Sequence, residues 1–145
     1  MIKHISLGLI MGVVYFVLEG LWRGWTNIAM LFIGGICGVL VGLLNERPGY
    51  YKLKIWQQCL IGTLIILCVE FVSGLVLNVW LGLHLWDYSN IWGNLYGQVC
   101  LPYAALWFLL TPFAIWLDDF LRAKLYKEGE PYSFGEILVE LVTGK

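Results

Sequence analysis

The third apolar run of the chain, residues 56–81, reads WQQCLIGTLIILCVEFVSGLVLNVWL and contains one charged side chain, Glu70. The run is longer than the roughly 20 residues that a helix needs to cross the hydrocarbon layer of a bilayer. It is continuously apolar rather than alternating, which disfavours a strand, and an open sheet edge cannot lie in lipid. The run therefore predicts a transmembrane helix.

Three other apolar runs predict spans, residues 5–22, 27–44 and 95–116. The composition agrees, since 60% of the 145 residues are hydrophobic and 13% are charged, whereas soluble domains carry roughly a quarter charged residues. We expect an all-α, polytopic membrane protein with four transmembrane helices in two tandem hairpins. Residues 1–117 form this domain, and residues 118–145 form a cytoplasmic or interfacial tail.

The basic residues predict the orientation of the bundle. Of the nine Lys and Arg residues, Arg23 alone lies on the side of the first and third loops. The positive-inside rule then places both termini in the cytoplasm. We expect the first run to be a retained span rather than a signal peptide, because no A-x-A-like cleavage site follows it. The net charge of −1 leaves no basic stripe for nucleic acid.

Two glutamates, Glu19 and Glu70, lie inside apolar runs, and each is followed eight residues later by an asparagine, Asn27 and Asn78. A carboxylate at membrane depth costs a few kcal/mol, so it is usually paired or faces a polar path. Because the pattern occurs twice, it suggests a duplicated hairpin with a polar interior.

Glycines recur at spacings of three or four residues in the predicted spans, for example Gly8 and Gly12, then Gly34, Gly38 and Gly42. Lipid provides no hydrophobic drive for helix association, so small residues that allow close packing predict the contact faces. The glutamates share these faces and should point into the bundle.

The two carboxylates differ in their partners. Glu19 has Arg23 at i+4, so a structural ion pair and a ligand or proton site are both open. Glu70 has no cation in its own helix. Either Arg23 reaches both carboxylates, or Glu70 is protonated, or it binds a cation or a hydrogen-bond donor.

The third loop contains the densest polar motif, HLWDYSN at residues 84–90. It could form an acidic, aromatic-walled mouth that attracts cations. The alternative is an aromatic belt with turn chemistry. Taken together, the predicted binding residues for a substrate or ion are Glu70, Glu19, Asn78, Trp86, Asp87, Tyr88 and Ser89.

No catalytic, metal or cofactor site is predicted. The four cysteines lack C-x-x-C spacing, so we expect buried thiols rather than zinc or disulfides. Ser73, Ser89, His84 and Asp87 supply the residue types of a hydrolase triad, but no G-x-S-x-G motif surrounds either serine. Pro102 falls inside the fourth run, where it should kink or bend the helix.

The segments EFVSG at 70–74, LWDYS at 85–89, NLYG at 94–97 and CLPY at 100–103 resemble the putative type IV ABC-transporter membrane-protein family of bacteria. The resemblance is weaker in the first half, where IGGIC at 33–37 replaces a Pro-x-Tyr-Gly pattern. It implies a permease of the bacterial cytoplasmic membrane. Any coupling to ATP would then need a separate ATPase subunit.

We therefore expect a permease component that moves a small solute or cation through an acidic, aromatic-capped polar cavity. Its partners would be the lipid bilayer and a second copy or another membrane protein, because four short spans enclose little volume. The alternative is a non-transporting adaptor or regulatory subunit. It would assemble through the glycine faces and residues 132–145, where Ser133 and Glu136 have capping-box spacing.

Overall fold

The computed structural model describes all 145 residues and contains five α-helices and no extended strand. The prediction of an all-α chain is confirmed. Three helices are long and apolar enough to cross a membrane, namely Ile2–Arg23, Ile55–Trp80 and Leu101–Tyr126, while Ile28–Leu44 is apolar but shorter. The number of spans and their orientation stay predictions. The helices are α1 Ile2–Arg23, α2 Ile28–Leu44, α3 Ile55–Gly74, α4 Leu101–Tyr126 and α5 Phe134–Thr143.

A tight turn joins α1 to α2. Gly24 ends α1 in the left-handed region, at φ 82°, where glycine has no Cβ to clash. Asn27 precedes α2 and accepts a hydrogen bond of 2.9 Å from the Ala29 backbone N–H. Asn27 is therefore an N-cap, which satisfies one of the free N–H groups at the start of the helix.

Glycines bring the backbones of α1 and α2 into direct contact, as the sequence predicts. A Cβ added to Gly12 would collide with the Leu31 carbonyl oxygen, and one on Gly35 would lie 2.7 Å from the Gly8 carbonyl oxygen. On the neighbouring face, Gly34 packs against the Tyr15 ring. The glycine faces are thus occupied inside this hairpin.

The third helix continues past Gly74 as a π-helix, Leu75–Trp80. Its i→i+5 bonds, such as Leu81 N to Val76 O at 2.9 Å, make the turn wider than 3.6 residues. The wider turn keeps Asn78 on the same side of the helix as Glu70 and Gly74, which lie in the preceding α-helical turns. All three residues are buried.

The fourth helix begins later than the apolar run 95–116. Residues 95–100 belong to the loop, in which Tyr96 and Gly97 have positive φ, and α4 starts at Leu101. The prediction that Pro102 kinks the interior of this helix is wrong. Pro102 occupies the first turn, where the missing N–H has no intrahelical partner to lose.

The bundle has two ends, which we name by their residues. The loop end contains residues 24–27 and 81–100, and the terminal end contains residues 45–54, the start of α1 and the segment after α4. At the terminal end α5 lies under the bundle, with Ile137 buried in the core. The predicted capping box is present, since Glu136 accepts from Ser133 N at 2.7 Å and Ser133 Oγ from Glu136 N at 3.3 Å.

Candidate functional site

Glu70 of α3 is buried inside the bundle, with 7% of its surface exposed. Its carboxyl group accepts two hydrogen bonds from neutral donors. Tyr88 donates its hydroxyl to Oε1 at 3.2 Å, and Trp107 donates Nε1–H to Oε2 at 3.1 Å. The donors come from the 81–100 loop and from α4, so three segments distant in sequence meet at one carboxyl group.

Arg23 is engaged elsewhere. It forms an ion pair with Glu19 on its own helix, donates Nη1–H to the Leu85 carbonyl oxygen at 2.7 Å and lies 4.4 Å from the centre of the Trp25 ring. Of the arrangements considered for Glu70, the structure shows hydrogen-bond donors and no contact with Arg23. Glu19 has the structural ion pair.

An apolar cavity of about 100 Å³ lies against Glu70. It is lined by 18 residues, of which 15 are hydrophobic, and Glu70 is the one charged residue among them. Helices α1, α2 and α4 supply most of the wall, and Trp86 closes it from the loop. The sequence predicted a polar cavity, and the lining is apolar because Glu19, Asn78, Asp87, Tyr88 and Ser89 do not line it.

Asn78 fastens the 81–100 loop to the end of α3. Its Oδ1 accepts from the Leu85 N–H at 2.7 Å, and its Nδ2 donates to Gln98 Oε1 at 3.0 Å. Trp86 donates Nε1–H to the Gln98 carbonyl oxygen at 3.0 Å. These buried groups are mutually satisfied, so they hold the loop in one conformation over Glu70.

Asp87 and Ser89 lie on the exposed surface of the loop. The Ser89 hydroxyl and backbone N–H both donate to Asp87 Oδ1, the latter at 2.9 Å. These bonds favour the ionised carboxylate and lower the pKa of Asp87 below its ordinary value. Between them, Tyr88 points inward and stacks on Tyr103 with ring centres 4.8 Å apart. Successive side chains of this segment alternate between the interior and the surface. Tyr88 therefore contacts Glu70, while Asp87 and Ser89 stay exposed.

Sequence reasoning missed a charged network at the terminal end. Arg122 bonds Asp118 at 2.7 Å, Glu46 at 2.9 Å and Glu128 at 3.3 Å, and it also donates to the Gly42 carbonyl oxygen at 3.1 Å. Two signals were available, the i+4 spacing of Asp118 and Arg122 and the position of Glu46 just after α2. No group of three or more His, Cys, Asp or Glu residues is placed to hold a metal ion.

The network alters the acidity of Glu46. Hydrogen bonds from Arg122 and His4 stabilise its carboxylate and hold its pKa at about 2, compared with an ordinary value of 4.5. Glu46 lies in the connection between α2 and α3 and is partly exposed. The network therefore ties this connection to the end of α4.

The chain is similar to a known protein family. A model of the family described as putative ABC-transporter type IV matches residues 4–142. The chain belongs to this family. No curated protein and no solved structure was found that matches the chain. The family and the apolar helices together indicate an ABC-transporter-related membrane protein.

In this member of the putative type IV ABC-transporter family, the segments that carried the resemblance meet in space. Asn94 donates to the Ser89 carbonyl oxygen at 3.2 Å and accepts from the Gly97 N–H at 3.1 Å. The Tyr88 N–H donates to the Gly97 carbonyl oxygen at 2.8 Å. The motif residues thus build the loop that presents Tyr88 to Glu70.

Proposed function

We propose that this protein is a permease component and that its solute binds at Glu70. The observation that carries the proposal is a buried carboxyl group with neutral donors only, at the wall of a cavity between membrane-type helices. An acidic group at membrane depth is expensive to bury and usually marks a pathway for a solute or ion. Concave, mostly apolar sites with a few converging polar groups are also the common form of ligand pockets.

The finer parts of the proposal concern the setting. We place the protein in the bacterial cytoplasmic membrane with both termini in the cytoplasm, and we assign it a small solute or cation. The cavity of about 100 Å³ is too small for a continuous path, so conduction requires a second copy or another membrane protein. A separate ATPase subunit would supply any coupling to ATP, and no chemical turnover is involved.

Uptake of [14C]methylammonium into proteoliposomes tests this role. We expect saturable uptake that depends on the protein and falls at least tenfold in Glu70→Gln, because the amide keeps the shape of the side chain and removes its charge. Glu140→Gln, a change at an exposed carboxylate, is the matched control and should retain uptake. Uptake that is equal in both variants would overturn the role assigned to Glu70.

The alternative, a membrane adaptor, is favoured by one feature of α5. Ile137 anchors this helix in the core, yet Val139 and Val142 on the same helix are 62% and 86% exposed. Since the glycine faces of α1 and α2 are already occupied, an adaptor would dock through α5. The double change Val139→Ser and Val142→Ser leaves the anchor intact, unlike deletion of residues 132–145. Loss of co-purifying partners in this double variant, together with uptake that is unchanged by Glu70→Gln, would support the adaptor.

A further inference from the structure

The cavity beside Glu70 opens sideways, along the seam between α1 and α4. Its inner wall is made of buried residues of α1, α2 and α3, such as Met11, Ile33 and Ile66. At its rim, Leu18 of α1 is 43% exposed and Leu110 of α4 is 38% exposed. Both rim residues lie within long apolar helices, so the opening faces the lipid rather than an aqueous compartment.

An aromatic pair crosses this seam at the level of Glu70. The rings of Tyr15 on α1 and Trp107 on α4 have centres 5.7 Å apart, and both line the cavity. Trp107 also donates to Glu70. A molecule that enters through the seam would therefore meet the aromatic pair and the carboxyl group together.

The cavity suits an apolar group. An apolar protein cavity of ~150 Å³ stays dry and accommodates benzene, whereas a bound water needs two to four polar partners. The present cavity is of comparable size, about 100 Å³, and 15 of its 18 lining residues are hydrophobic. A hydrated metal ion would find too few polar groups here to replace its water shell. A ring or a length of alkyl chain has no hydrogen bonds to lose on entering the cavity.

Glu70 provides the complementary polar contact. Each carboxylate oxygen accepts one hydrogen bond within the chain and can accept more. Arg23 is paired with Glu19, so no side-chain cation is available to balance Glu70 when it ionises. A ligand ammonium would supply both the donors and the positive charge, and such charge-assisted bonds are stronger than neutral ones.

We infer that the cleft binds a lipid-soluble amine taken from the bilayer, with its ammonium group on Glu70 and its apolar body between α2 and α4. The inference rests on the proposed function and names the substrate class of that site. The seam between α1 and α4, with Leu18 and Leu110 at its rim, is the route of entry. Selectivity arises from the carboxyl group for the head and from the apolar lining for the body.

Photo-crosslinking in lipid nanodiscs tests the inference. The probe is dodecylamine carrying a diazirine in its chain, and the comparison probe is the corresponding dodecanoic acid, whose carboxylate should be repelled by Glu70. We expect the amine to label peptides lining the cavity at least tenfold more than the acid, with saturation by unlabelled dodecylamine. Glu70→Gln should lower this labelling at least tenfold while lipid-facing labelling elsewhere persists.

A second variant separates cleft binding from a folding defect. Leu110→Trp fills the rim from a partly exposed position and should abolish cleft labelling with Glu70 intact. Its matched control is Leu109→Trp, the adjacent residue, which is 68% exposed and does not line the cavity. The control should label like the unmodified protein.

Equal cleft labelling by amine and acid, or none by either, would overturn the inference. If methylammonium uptake still depended on Glu70 in that case, the permease proposal would stand and only the substrate class would be wrong. Conversely, saturable cleft labelling without any Glu70-dependent uptake would support the binding site and contradict transport.

Discussion

Arg23 donates a hydrogen bond to the carbonyl oxygen of Leu85, 62 residues further along the chain, at 2.7 Å. The bond joins the end of α1 to the loop segment that leads into Trp86 and Tyr88. Glu19 holds the guanidinium in place by its ion pair. Through these contacts Glu19 helps to position the 81–100 loop, whose Tyr88 donates a hydrogen bond to Glu70.

The pairing of Glu19 and Arg23 predicts a non-additive effect on stability. Arg23→Met should destabilise the protein by about 3–5 kcal/mol, because it leaves a buried carboxylate without its partner. Adding Glu19→Gln should recover part of the loss, since the uncompensated charge is then gone. Chemical unfolding in detergent measures both variants. A double variant that is as unstable as Arg23→Met would show that the ion pair is not the cause.

The two asparagines of the apparent repeat should differ in importance. Asn78→Ala leaves the buried Leu85 N–H without an acceptor, a loss of about 1–3 kcal/mol for that group alone, and also removes the bond to Gln98. Asn27→Ala removes an N-cap and should cost about 1 kcal/mol. Thermal unfolding ranks the two changes. Equal losses would contradict the anchoring role of Asn78.

The contact of α1 with α2 predicts that added methyl groups are poorly tolerated at one glycine and accepted at another. In Gly12→Ala the new Cβ meets the Leu31 backbone oxygen, which cannot move without separating the helices. In Gly20→Ala the nearest atom is the Thr26 methyl carbon at 3.4 Å. Gly12→Ala should therefore lower the unfolding midpoint by several degrees, and Gly20→Ala should leave it unchanged or raise it.

The charged network at the terminal end predicts a dependence of stability on acid. The pKa of Glu46 is about 2 in the folded protein and 4.5 ordinarily, so its contribution is present above about pH 4.5 and disappears as the pH falls to about 2. The contribution is modest, because Glu46 is partly exposed.

Thermal unfolding between pH 7 and pH 2 measures this effect. Glu46→Gln should be less stable than the unmodified protein at pH 7, and the difference should shrink between pH 4.5 and pH 2. A difference that stays constant across this range would mean that the carboxylate charge contributes nothing.

Local patterns in the sequence carried much of this architecture. Continuous apolar runs predict helices because lipid forbids unpaired backbone groups, and the glycine spacing identified the face through which α1 meets α2. The i+4 spacing of Glu19 and Arg23 indicated their ion pair. Family membership was also readable, from segments within residues 70–107.

Such local patterns could not predict the hydrogen-bond donors to Glu70. Tyr88 and Trp107 reach it from a loop and from another helix, and helical periodicity says nothing about which distant side chains meet. The late start of α4 at Leu101 was hidden because residues 95–100 contain no charged side chain and lead directly into the apolar helix. The ion pairs of Arg122 with Glu46 and Glu128 were missed because these partners come from other segments of the chain.

The close backbone contact of α1 with α2 has a consequence for how this pocket could be altered. Gly34 and Gly38 form part of its wall, and a larger residue at either would push into Tyr15 or Met11. That side is fixed by the architecture of the hairpin. The opposite side consists of full side chains on α4, which can be exchanged without moving any main chain. Relatives that bind other ligands, and variants engineered to do so, should therefore differ first at Leu110 and Phe113.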